Sequence, residues 1–131
     1  MKLLAVVFLC FLVFSACSIP VDREQLLGTW DYVKIDNLNS YSEDSTTVAE
    51  LKQAKPYISF SDRGELQIFW ADKVLSSGTF HIEGKMIRYK ENLPDGGTRE
   101  FPFLVKSLSD TELVFETMAR EGARVTAAKR R

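Results

Sequence analysis

From Tyr57 onward, apolar and polar residues alternate in short runs broken by turn residues. The runs 57–60, 65–71, 76–82, 85–91, 99–107, 111–118 and 123–129 each read as a β-strand, and an earlier run, 28–36, makes eight. Ser61-Asp62-Arg63-Gly64 and Glu83-Gly84 between runs are hairpin signals, with glycine where a positive φ is required. Alternation assigns the faces. Ile58 and Phe60; Leu66, Ile68 and Trp70; Phe80 and Ile82; Ile87 and Tyr89; Phe101, Phe103 and Val105; and Leu113 and Phe115 form one apolar set. Between the first and second strands, 46–55 reads TTVAELKQAK. This predicts a short helix, with Thr47 and Glu50 as a capping box, Val48, Leu51 and Ala54 on one face, and Pro56 as the stop. Eight meandering strands with one apolar face close on themselves and so lose their exposed edges, which predicts an all-β, antiparallel up-and-down barrel.

The N-terminus departs from this pattern. Lys2 precedes an apolar run from Leu3 to Phe14, followed by small residues up to Cys17. The run is short for a membrane span, which takes about 20 residues, and reads as a secretion signal. Phe14-Ser15-Ala16-Cys17 resembles the lipobox of bacterial lipoproteins, with Phe14 in the place usually held by leucine. The resemblance implies cleavage before Cys17 and lipidation of its thiol with palmitate-class acyl chains. Several such chains anchor a protein stably where one holds it only marginally. The predicted organisation is a signal peptide over 1–17, a tether over 18–25 and one barrel domain over 26–131. Cys10 leaves with the signal, so the exported domain has no disulfide and its fold rests on apolar burial. Removal of Lys2 leaves 16 basic against 18 acidic residues, net −2, with basic residues gathered only at the C-terminal end. Nucleic acid is a poor partner for such a surface.

Gly28-Thr29-Trp30 at the head of the first strand matches the Gly-x-Trp element of lipocalins, and the strand count matches their barrel. The chain more closely resembles the compact lipocalin-like lipoproteins of Gram-negative bacteria. These run from a lipobox into a Gly-x-Trp strand, a short helix and a strand of the type seen here as Lys55-Pro56-Tyr57-Ile58-Ser59-Phe60. The resemblance implies an outer-membrane location, since Ser18 rather than aspartate follows the cysteine. It also implies an arginine of the last strand, Arg124 or Arg130, over Trp30.

For catalysis the chain offers little. His81 is the one histidine, on the polar face of its strand, and one histidine does not make a metal site. No nucleophile elbow, phosphate loop or metalloprotease helix is present. Asp31, Asp36, Glu43, Asp44 and Glu50 read as surface and turn residues, and Glu112 and Glu116 as outward. No cofactor or metal is expected, and no enzymatic activity. A barrel of eight strands is either filled or holds one small ligand. The expected function is binding of a small hydrophobic molecule inside the barrel. The ligand-binding candidates are Phe60, Ile68, Trp70, Phe80, Tyr89, Phe103 and Phe115, with 37–55 as a lid. Gly28 and Trp30 are expected to be a structural plug at one end. The alternative is a filled barrel serving as a structural or protein-binding accessory lipoprotein of the envelope.

Overall fold

The computed structural model describes residues 19–38, 48–118 and 122–131. Residues 1–18, with Cys17 and Ser18, residues 39–47, with Thr47 and most of the expected lid, and residues 119–121 lie outside the described residues. The strands are β1 (Gly28–Asn37), β2 (Tyr57–Phe60), β3 (Glu65–Trp70), β4 (Lys73–Glu83), β5 (Met86–Asn92), β6 (Thr98–Leu108), β7 (Glu112–Thr117) and β8 (Ala123–Lys129). Each pairs antiparallel with the next, and β8 pairs with β1, so the sheet is a closed eight-stranded barrel. The all-β up-and-down architecture read from the alternation is therefore present.

The core is the predicted inward set. Ile58, Phe60, Leu66, Phe80, Ile87, Tyr89, Phe103, Val105, Leu113 and Phe115 are buried, and Ile68, Ile82 and Phe101 pack against them. Removing this apolar surface from water is the main term that offsets the ordering of the chain. Three departures have local causes. The first is at the turn between β3 and β4. It is a two-residue hairpin, with Ala71 at φ 51° and Asp72 at φ 63°, and β4 begins at Lys73 rather than Ser76. Neither residue is glycine, so nothing in the sequence advertised a left-handed turn. Second, the helix between β1 and β2, α2 (Val48–Ala54), is present, but only Leu51 of its expected apolar face is buried and Val48 is exposed. Third, the segment read as a tether carries a helical turn, α1 (Arg23–Leu26).

That third feature closes one end of the barrel. Asp22 caps α1 by accepting hydrogen bonds from the backbone N–H of Glu24 and Gln25, at 3.0 and 3.5 Å. Leu26 is fully buried in the core. The segment then touches all three hairpin turns at this end. The Val21 N–H donates to the Gly84 carbonyl at 2.9 Å. Arg23 Nη2 donates to the Asp62 carbonyl at 2.7 Å, and Gln25 Nε2 donates to Asp110 Oδ1 at 3.0 Å. Residues 21–26 are thus a strap across the closed end, spanning the β2–β3, β4–β5 and β6–β7 turns. Four residues were too few for a helical period to be visible; Asp22 was the available signal.

Candidate functional site

The interior has two unlike halves. Toward the strap it is filled. Trp30 is completely buried; its indole N–H donates to the Leu26 carbonyl at 2.8 Å, and the Lys129 ammonium stands 4.5 Å from its ring centre. Such a cation–π contact contributes on the order of 1 kcal/mol. Lys129 also donates to the carbonyls of Leu27 and, at 3.5 Å, Gln25, orphan acceptors at the end of α1. The residue over Trp30 is therefore Lys129, where the family resemblance implied Arg124 or Arg130. Alternation explains this: Val125 and Ala127 are buried, so Lys129 is the next inward position of β8. Arg124 instead pairs with Glu116, and Arg130 pairs with Asp31 and lies over the Tyr57 ring at 4.2 Å. Gly28, at φ 124°, serves the same end, because a Cβ there would come within 2.8 Å of Lys129 Nζ. Phe60 and Phe80 meet edge-to-face at 5.2 Å, and Phe115 packs 5.3 Å from Phe103.

Toward the opposite mouth the filling stops. A cavity of about 430 Å³ opens there, lined by Ile68, Tyr89, Glu91, Glu100, Phe101, Pro102, Phe103, Thr117 and Met118. The volume is at the small end of the range for ligand sites, ~300–1,000 Å³, and the wall is mostly apolar. Among the described residues, one flank is left uncovered because strand lengths differ. Pairing between β6 and β7 begins at Phe103 and Thr117, so residues 98–102 of β6 pair with β5 alone among the described residues.

The seven ligand-binding candidates separate accordingly. Ile68, Tyr89 and Phe103 line this cavity. Phe60, Phe80 and Phe115 belong to the filled half. Trp70 lies at the rim, partly buried in a shallow groove with Glu50, Gln53 and Ala54 of α2. Trp70 keeps the phase of Ile68 but is the last residue of β3, and the extra residue of the β3–β4 register shift is Leu75 on β4, between Ser76 opposite Ile68 and Val74 opposite Phe69. The Ala71 N–H donates to the Ala54 carbonyl at 2.9 Å, tying the β3–β4 turn to α2.

Sequence reasoning missed the polar residues of the mouth. Ser76 Oγ is 2.6 Å from the Tyr89 hydroxyl and also donates to Glu91 Oε2. Arg99 Nη2 donates to Glu91 Oε1 at 2.8 Å while its guanidinium stacks over Phe101 at 4.4 Å. Ser76 is in phase with Phe80, and Glu91 with Tyr89; that phase was the signal for polar side chains on the inner face. Burial raises the Tyr89 phenol above its ordinary range; its hydrogen-bonded contact with Ser76 opposes this and the Glu91 charge adds to it. Burial does the same, more strongly, to Tyr32, whose ring meets Phe115 edge-on at 6.3 Å, with Tyr89 adding to the rise. His81 is exposed on the outer face, 4.0 Å from Glu83. Among the described residues, no three or more His, Cys, Asp or Glu converge as metal ligands.

A pH effect follows from the two phenols. Unfolded tyrosines ionise near pH 10, whereas Tyr32 and Tyr89 hold their protons to higher pH when folded. Their contribution is intact below pH ~10 and is lost as pH rises beyond it. Between pH 9 and 11 the urea midpoint is expected to fall, and to fall less in Tyr32→Phe. Identical slopes for the two proteins would count against a partly buried Tyr32 that keeps its proton.

No protein-family model matches the chain, and no curated protein matches it.

Proposed function

We propose that the chain is an outer-membrane-anchored, lipocalin-like lipoprotein that binds a small hydrophobic molecule at the mouth of its barrel. The observation that carries the binding reading is the division of the interior. Rings and Lys129 fill the strap end, while the mouth keeps an apolar cavity of about 430 Å³ beside one connected set of polar groups. A barrel that served only as a rigid body has no need of that space, because interiors pack to crystal-like density. The reading is one of binding rather than catalysis. Tyr89 and Glu91 at the cavity are engaged through Ser76, and apolar atoms make up most of its wall.

The anchor reading rests on Phe14-Ser15-Ala16-Cys17 and on the strap, which holds the chain from Val21 onward against the barrel. Cys17→Ala is expected to move the protein from the membrane to the soluble fraction of a Gram-negative host. Retention of the variant in the membrane fraction would remove the lipobox from the account. Native mass spectrometry of the full chain tests the binding reading. A bound small molecule that is lost when Ile68 and Phe103 are replaced by tryptophan supports it, and an unliganded mass with a filled mouth refutes it.

A further inference from the structure

We infer that the mouth cavity selects an apolar molecule whose polar head donates hydrogen bonds, an amine or a hydroxyl, and disfavours a carboxylate head. The inference rests on the reading that this cavity is a binding site; its content is where the hydrogens at the wall already go.

Ser76 Oγ reaches both the Tyr89 hydroxyl and Glu91 Oε2. A carboxylate only accepts, so the Ser76 hydrogen points to Glu91 and the Ser76 oxygen takes the Tyr89 hydrogen. Thr117, also on the wall, donates to the Ala123 carbonyl at 3.4 Å and accepts from the Ala123 N–H at 3.0 Å. Among the described residues, the side-chain hydroxyls of the lining, Tyr89 and Thr117, therefore have their hydrogens engaged within the protein. What remains toward the cavity is lone pairs, on the Tyr89 oxygen and on the Glu91 carboxylate.

Charge acts in the same direction. Among the described residues, Glu91 and Glu100 are both in the lining and no Lys or Arg is. Arg99, the nearby cation, has one Nη on Glu91 and its plane on Phe101, and its side chain is 59% exposed against 14% for Glu91. A carboxylate head in the cavity meets lone pairs and a half-sheltered like charge; an ammonium or hydroxyl head meets acceptors that already face it. Selectivity of this kind comes as much from repelling the wrong head as from holding the right one.

The test compares three probes of equal chain length, octylamine, 1-octanol and octanoate. Each is titrated calorimetrically at pH 7 into the full chain in phosphatidylcholine nanodiscs, with empty nanodiscs as the blank. Octylamine and octanol are expected to bind at least about tenfold more tightly than octanoate. Octanoate binding as tightly as either would overturn the donor-head inference and leave the cavity reading standing. No heat above the blank for any probe would overturn both. The selectivity is read on the wild-type chain, so it does not depend on a variant folding. Glu91→Gln then locates it: the amine-over-octanoate ratio should collapse toward one, and an unchanged ratio would remove Glu91 from the inference.

Discussion

Trp30→Ala is expected to lower the stability of the folded chain by about 3–5 kcal/mol, the range for a large aromatic ring deleted from a core. The high end applies here for local reasons. The ring is fully buried, its N–H satisfies the Leu26 carbonyl, and its face receives the Lys129 ammonium. Alanine leaves a cavity, an unpaired acceptor and a cation without its ring. The loss is read from urea denaturation followed by circular dichroism, as a lower midpoint at unchanged slope. Octylamine affinity, measured where the variant is still folded, should change little, because Trp30 belongs to the strap end. The opposite result, stability kept and affinity lost, would place Trp30 in the binding site.

Gly78→Ala is the second large effect, about 3 kcal/mol or more of destabilisation. Gly78 lies opposite Glu91 across the β4–β5 pair, and the strands approach closely there. A Cβ at this position would stand 1.9 Å from the Lys90 carbonyl oxygen and 2.9 Å from its carbon, both backbone atoms. No rotamer change relieves such a contact, so the strands must separate. Ser76 and Glu91 hydrogen-bond across this same pair, so separation also disturbs the polar groups of the mouth. A variant with a wild-type urea midpoint would show that the two strands tolerate a wider spacing.

Gly78 and Trp30 also mark how far the sequence could be read. Period-two alternation located all eight strands and the inner face, because each strand has one wet and one buried side. It placed Ile68, Tyr89 and Phe103 on the inner face, where they line the cavity. Alternation gives a face and not a depth. Phe60, Phe80 and Phe115 share that face but lie in the filled half, and depth depends on register around the closed sheet. Trp70 shares the face too, but as the last residue of β3 it lies at the rim, beyond the wall of the cavity. The hydrogen bonds of Ser76 with Tyr89 and Glu91 connect residues thirteen and fifteen apart, joined only by strand pairing. Gly78 read as an ordinary strand residue, because the carbonyl that forbids a side chain there belongs to the neighbouring strand.

The strap carries a consequence for direction. Val21 is fixed to the β4–β5 turn at the closed end, and Cys17 precedes it by four residues, a reach of at most about 14 Å. With a lipid on Cys17, the bilayer therefore lies on the plugged side, and the open mouth faces away from it by the length of the barrel. Traffic into the cavity then comes from the aqueous compartment or from whatever stands on its far side. The protein would work as a cup held upright on the membrane, filled from above, and not as a drain for the leaflet beneath it.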